Sequence, residues 1–379
     1  MSGQNTARDP IFDIIIVGAG PAGASVACYL KLFDTRSLLK ILLIEKHADP
    51  AEYDRYHHKC GEGVSEEFLE EIAPIRAVAS DITTHVTIAR EYWGTKRVVE
   101  SRTKECILNR PAFLRHVIDI YTRAGGNICW DEVLKVIMEG GLARVACASG
   151  FTPLGRVVIG ADGPNSRIRT LMGFQKPLIV TVMQYLVPND AADDHIMNVW
   201  YSAKYRGGYK YIFPYGSGKG KLGFIKGTDE YNGPFFEMQA KQAAIGGIPN
   251  FSKGNVILIG CAAAFTNPFT GGGIKVAFVA ARVLARKLVI AAEKATDTNR
   301  TSRLIEEINR FEIWWKKTPY FAGKYMKAYD RFKKMNDITI ERLSEPFLNK
   351  GRIRRAFALL KNIRFWSIYM AFMNATKYS

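Results

Sequence analysis

The 379-residue chain reads as an α/β protein: a Rossmann-like domain of parallel strands, an antiparallel β-sheet inserted into it, and a helical C-terminal region that is strongly basic. Three observations predict this. An Ile-rich run (12–17) leads at once into Gly18-Ala19-Gly20-Pro21-Ala22-Gly23, a helix-compatible stretch and a second apolar run (40–44) closed by Glu45. Short alternating or apolar runs, separated by turn residues, fill the middle of the chain. Far downstream, an apolar strand enters Gly260-Cys261-Ala262-Ala263-Ala264, then Asn267-Pro268-Phe269-Thr270-Gly271-Gly272-Gly273 and a long apolar helix from Ile274.

The first segment has the order strand, glycine turn, helix, strand, acid, which is that of a dinucleotide-binding βαβ unit. Gly18 permits the tight turn, Gly20 lets the backbone approach a pyrophosphate, and Gly23 lets helix and strand pack closely. Ala22 lies at the helix start. Glu45, with Lys46 after it, is expected at an adenosine ribose. A second glycine turn at a helix start, Gly271–Gly273 before Ile274, again offers N–H groups and a positive dipole end to negative charge. Two such turns this far apart suggest one extended cofactor held at two places, and the combination points to a flavin. Only one βαβ fingerprint is present, which favours a bound FAD over a pair of dinucleotides.

Between these segments, Asn109-Arg110-Pro111 opens an amphipathic helix expected over 112–124, with Arg110 available to phosphate. Runs at 128–130, 133–138 and 142–148 read as short strands, with Val133 placed near the cofactor. A buried strand at 157–159 enters Gly160-Ala161-Asp162-Gly163, where the Asp162 carboxylate is expected at a ribityl hydroxyl or a water by the pyrophosphate, unless it merely makes an Asp-Gly turn. Runs at 82–90, 98–101, 178–187, 196–201, 209–213 and 222–226 read as antiparallel strands of a separate sheet roofing the cofactor. The expected division is therefore a discontinuous FAD-binding domain (1–80, 105–170, 250–295), an antiparallel-sheet substrate domain (81–104, 171–249) and the basic helical region (296–379).

Together these segments resemble FAD-dependent proteins of the para-hydroxybenzoate hydroxylase fold and, within them, the geranylgeranyl reductase family. Lys59-Cys60-Gly61-Glu62-Gly63 is similar to that family's Cys-Gly-(Glu/Asp)-Gly turn. Tyr209-Lys210-Tyr211-Ile212-Phe213-Pro214, with Gly223 beyond, resembles its Tyr-x-Trp-x-Phe-Pro…Gly-x-Gly signature, and Asn267–Gly273 its Asn-Pro-x-x-Gly-Gly-Gly loop. The likeness runs from about residue 12 to residue 287. Three positions depart from it: Tyr211 stands for tryptophan, Ile225 for the last signature glycine, and Cys261 for the aspartate that holds the ribityl chain. A thiol is a poor acceptor beside a carboxylate.

The resemblance implies reduction of isolated alkenes in an isoprenoid lipid, with FAD as cofactor and NADPH, ferredoxin or another reductant as electron donor. Flavin monooxygenases and halogenases on the same fold, or a lipid-binding protein with weakened FAD affinity, are the alternatives. It also implies site residues. Cys60 and Gly61 would lie at the reacting carbons with Tyr211. Gly260, Cys261, Gly271, Gly272, Gly273 and Ile274 would hold the flavin. Tyr209, Tyr211, Phe213 and Pro214 would line an apolar tunnel for the prenyl chain, although an alternating aromatic strand is also ordinary sheet core.

The formal net charge is +17, and from Arg300 to Ser379 there are 18 Lys/Arg against 7 Asp/Glu. Such a field favours an anionic partner. Residues 352–373 mix Arg352, Arg354, Arg355, Lys361 and Arg364 with Phe357, Leu359, Leu360, Ile363, Phe365, Trp366 and Met370, suited to lying in an anionic membrane interface. No recognised reader motif points to nucleic acid. The six cysteines are scattered, with no metal-type spacing, and residues 1–10 lack an apolar signal core. A cytoplasmic protein, peripheral on the inner face of the cell membrane, is the expected setting.

Overall fold

The structure, a computed structural model, describes residues 10–348 and 362–378. Ile11–Val17 is an inner strand of the first sheet, parallel to both Ile41–Glu45 and Leu154–Gly160. Ile14, Ile15 and Ile16 are fully buried, as an uninterrupted apolar run in a parallel sheet should be. Val256–Leu258 and Asn127–Trp130 extend the parallel set at its two ends. The helix Pro21–Phe33 is buried from Ala22 to Leu30 and packs against Arg110–Arg123 and Ile274–Glu293. Asp13 ties this layer to the C-terminal region, its carboxylate 3.2 Å from Arg156 and 3.7 Å from Arg300.

A second eight-stranded sheet is laid beside it, in the order Glu237–Ile245, Leu178–Pro188, Lys219–Ile225, Lys210–Gly216, Ile196–Tyr201, Ile82–Trp93, Arg97–Leu108 and Gly63–Ser65. Two features differ from the sequence reading. Ile196–Tyr201 runs parallel to Ile82–Trp93, so the sheet is not wholly antiparallel. Glu237–Ile245 is a strand that the sequence did not announce. Its Glu-Met-Gln-Ala-Lys-Gln-Ala-Ala favours helix by propensity, and a nine-residue antiparallel register with Leu178–Leu186 overrides that preference.

The C-terminal region is helical in Arg300–Lys317, Met326–Phe332, Asp337–Leu348 and Trp366–Tyr378. Arg352, Arg354, Arg355, Phe357, Leu359, Leu360 and Lys361 lie outside the described residues. Of the rest of the expected membrane-facing set, Phe365 is a correction: it is buried in the protein's own core with Ile368, Tyr369 and Phe372. The Phe372 ring meets Trp93, Tyr201, Phe269 and Phe332. Ile363 and Trp366 remain 63% and 50% exposed. No helix among the described residues is long and apolar enough to cross a membrane.

Candidate functional site

Three turns leave neighbouring parallel strands at the same edge of the first sheet and converge: Gly18–Gly23, Ala161-Asp162-Gly163 and Gly260-Cys261. Their glycines are required sterically. A Cβ on Gly23 would lie 1.7 Å from the Gly18 carbonyl oxygen, one on Gly18 (φ +95°) 2.7 Å from the Ala161 oxygen, and one on Gly260 (φ +62°) 2.7 Å from Ala22 Cβ. The turns border a cavity of about 290 Å³. Gly18, Gly20, Ala22, Glu45, Lys46, Val133 and Arg110 line it, as do Asp162, Gly163, Gly260 and Cys261. Gly23 does not; it sits behind Gly18 and allows the turn to close. Crevices outside the carboxyl ends of parallel strands are where such sheets take ligands.

The Pro21–Phe33 helix begins at Gly20 with no side chain capping its first N–H groups, which leaves them for an anion. Tyr53 donates to the Ala19 carbonyl and anchors the helix Pro50–His57 over the turn. That brings His57 Cε1 to 3.4 Å from where a Gly20 Cβ would stand. The imidazole is 3% exposed and both of its nitrogens lack a partner. Burial, with Arg110 and Lys241 nearby, holds it neutral by pushing its pKa well below the usual histidine range. Orphaned buried nitrogens beside an uncapped helix start and a turn that excludes any Cβ fit a phosphate-bearing dinucleotide.

Three expected ligands are partly engaged already. Glu45 accepts from Ala19 N at 2.7 Å and His47 N at 2.9 Å, fixing the turn. Asp162 accepts from Ser166 Oγ at 2.6 Å and Ile168 N at 3.0 Å, so both carboxylate oxygens serve the start of the Arg167–Leu171 helix. Arg110, on the cavity wall, donates through both Nε and Nη2 to the His57 carbonyl, with Glu62 at 3.7 Å.

A second cavity, about 190 Å³, shares Lys59, Cys60, Lys241, Gly271, Gly273 and Ile274 with the first. Gly61 and Gly272 border only the second, with Tyr209, Tyr211 and Phe213. These rings form a row, centroids 5.9 and 4.6 Å apart. Gly61 lets the Cys60 turn approach it, since a Cβ there would be 3.0 Å from the Phe213 ring. Gly223 gives Tyr211 its room: a Cβ would fall 2.2 Å from that ring. Ile225, where the resemblance expects glycine, is accommodated by Gly208, whose missing Cβ would lie 2.2 Å from Ile225 Cδ1. Pro214 borders neither cavity. The glycine run is also only partly available: Gly271 N donates to Asn267 O and Gly272 N to Thr270 Oγ1. Free donors therefore begin at Gly273, the N-cap of Ile274–Glu293.

Charges gather behind the shared wall. Glu62, fully buried, pairs with Lys221 Nζ and stands near Arg110. Burial raises its pKa while both cations pull it back. Burial, then Lys221 and Arg110, bring His58 down to about 4. Tyr211 donates to Gln184 at 3.0 Å, and burial raises its pKa well above the usual phenol range. All six cysteines are free; burial pushes Cys28, Cys106 and Cys147 up to about 12, whereas Cys60 and Cys261 face the cavities. Cys261 Sγ lies 3.2 Å from Thr266 Oγ1. Gln184, Lys221 and Lys241 escaped the sequence reading, and His57 entered it only as a neighbour of Cys60. Only His57 and His58 carried a signal, by flanking the Cys60 turn.

No protein-family profile matches the chain. The digeranylgeranylglycerophospholipid reductase of Methanosarcina acetivorans is 26% identical, covering 97% of this chain and 98% of the relative. Digeranylgeranylglycerophospholipid reductase 1 of Methanopyrus kandleri is 29% identical over 75% of this chain and 82% of the relative. Among solved structures, a geranylgeranyl bacteriochlorophyll reductase-like protein from Thermoplasma acidophilum superposes with a TM-score of 0.76 at 21% identity, over 93% of this chain and 97% of that one. A flavin-dependent brominase superposes with a TM-score of 0.67 at 15% identity, over 94% and 99%. The fold is thus common to reductase-like and halogenating proteins, and in sequence the chain resembles the digeranylgeranylglycerophospholipid reductases along nearly its whole length.

Proposed function

We propose that the protein is an FAD-dependent reductase that saturates C=C bonds of geranylgeranyl chains, with archaeal-type membrane glycerophospholipids as substrates. The observation that carries this reading is the shared wall: a dinucleotide-type cavity opens through Cys60 and Gly271–Ile274 onto an aromatic-lined one. In this reading Gly18, Gly20 and Ala22 hold the pyrophosphate, with Gly23 behind them. Glu45 and Lys46 would take the adenosine end, Arg110, Val133, Asp162, Gly163, Gly260 and Cys261 would flank the middle, and the start of the Ile274 helix would hold the flavin. Reduced FAD held there would supply the hydride that an alkene without an activating carbonyl needs.

The chain's own residues do the remaining work. Tyr209, Tyr211 and Phe213 align the prenyl chain and exclude water from the reacting carbons. Gln184 fixes the Tyr211 ring through its hydroxyl, which burial keeps protonated. Cys60, between the cavities, serves the reacting carbons either as the proton donor or as a group that positions the prenyl chain. An anionic surface would present the lipid, with Ile363 and Trp366 entering the interface beside Arg364.

The decisive experiment incubates reduced, FAD-loaded protein anaerobically with a digeranylgeranylglycerophospholipid and follows product mass. A gain of two hydrogens per saturated bond is expected. Substrate-dependent oxygen consumption without saturation would instead assign a monooxygenase or halogenase, and a colourless protein that cannot take up FAD would leave a lipid-binding role. For the surface, Ile363→Ser with Trp366→Ser should reduce sedimentation with anionic liposomes; undiminished binding removes those residues from the interface.

A further inference from the structure

Lys241 occupies an unusual place. It comes from the strand Glu237–Ile245, opposite Val182, and reaches the wall common to both cavities. Its ammonium has one hydrogen bond, to the Tyr56 carbonyl at 3.3 Å, and stands 4.5 Å over the centroid of the Tyr56 ring. Among the described residues no carboxylate lies within ion-pair distance of it. The buried carboxylate of the site, Glu62, is already shared by Lys221 and Arg110. Glu45 and Asp162, which line the same cavity, accept from Ala19 N and from Ser166 and Ile168 instead, so Lys241 is a cation of this corner without a carboxylate partner among the described residues. An unpaired cation in a half-enclosed polar wall is a site for an anion.

We propose that Lys241 is an anion-binding residue of this site and that it takes up a proton when the dinucleotide binds. The inference rests on the FAD reading above. Desolvation, reinforced by Arg110 and Lys59, brings its pKa down to about 7, with Cys60 and Cys261 acting in the opposite direction. The other titratable groups facing this corner are His57, held neutral, Glu62, the Tyr56 phenol and, around Tyr56, Glu45, Lys46 and Asp162. An anion beside the amine restores the ammonium. With a free-state pKa near 7, an amine at about pH 8 is roughly nine-tenths deprotonated, so binding there draws in close to one proton, and below about pH 6 almost none. The sign follows: affinity is greatest at low pH and weakens as pH rises through the free-state value, by up to about tenfold per unit.

Calorimetric titration of the apoprotein with FAD, in buffers of different ionisation heat, measures this uptake directly. At about pH 8 the wild type should take up nearly one proton. Lys241→Arg, permanently charged, should bind FAD with no uptake, Lys241→Met should bind more weakly with none, and His57→Gln should keep the uptake. Proton release by the wild type, uptake surviving in Lys241→Arg, or its loss in His57→Gln alone would overturn the assignment. FAD binding without a proton defeats this inference only, whereas no FAD binding defeats the reading beneath it as well.

Discussion

The two cavities are walled by different materials. On the side of the parallel sheet the wall is backbone: Gly18, Gly20, Gly163 and Gly260, with Gly23 in support, and helix starts left uncapped. On the side of the second sheet it is side chain: the aromatic row from Lys210–Gly216 and its neighbour Tyr209, Gln184 from Leu178–Pro188, and Lys241 from Glu237–Ile245. A backbone wall admits no Cβ at Gly18, Gly23 or Gly260, and its donors are fixed dipoles that favour negative charge without titrating. A side-chain wall tolerates small changes of volume but depends on each polar group keeping its partner. The join between them is the Cys60–Glu62 turn, whose Glu62 grips Lys221 of the second sheet and faces Arg110 of the first layer.

That contrast can be broken most severely at Gly23. Gly23→Ala puts a methyl 1.7 Å from the Gly18 oxygen, and backbone cannot yield as a side chain can. The expected result is a loss of about 4 kcal/mol, or no folded protein, in denaturant unfolding. An alanine variant of near wild-type stability would show that the turn is looser than drawn. The join comes next: Glu62→Gln leaves Lys221 and Arg110 without their buried countercharge, at a cost of about 3 kcal/mol by the same measurement. A neutral outcome there would mean that the two layers hold together without it.

Cys60→Ser tests chemistry rather than stability. Turnover of a prenyl substrate should fall by about a hundredfold while FAD absorbance and melting temperature stay put; unchanged turnover would remove the thiol from the reaction. The smallest effect is expected at Cys261, which lines the dinucleotide cavity with Thr266 Oγ1 3.2 Å from its thiol. Cys261→Asp supplies an ionic acceptor and should tighten FAD binding by about 1 kcal/mol, some fivefold by fluorescence titration. No change would mean that no hydroxyl of the cofactor comes within reach.

How much of this was legible follows the same division. The dinucleotide turn, its strand and helix, and the Gly260 and Asn267–Gly273 segments could be read in order, since each is a local pattern with a local cause. The aromatic strand and the Cys60 turn were legible through resemblance. Glu237–Ile245 was not, because its composition favours helix and only its partner strand makes it extended. Asp162 and Arg110 were visible as residues but not as bonds: Ser166, Ile168 and the His57 carbonyl captured them once the chain closed.

By itself, then, the sequence determined the βαβ unit, the glycines that no side chain can replace, and a helix start at Ile274 open to negative charge. Backbone conformation and hydrogen-bonding capacity are properties of a few consecutive residues, so they are written where they act. Only the tertiary structure decided which donors remain free, that Gly273 and not Gly271 begins them, that His57 hangs unpartnered beside Gly20, and that Lys241 stands uncompensated between two cavities. Those are matters of which distant groups meet. Pairing and desolvation depend on neighbours that the chain brings together only by folding.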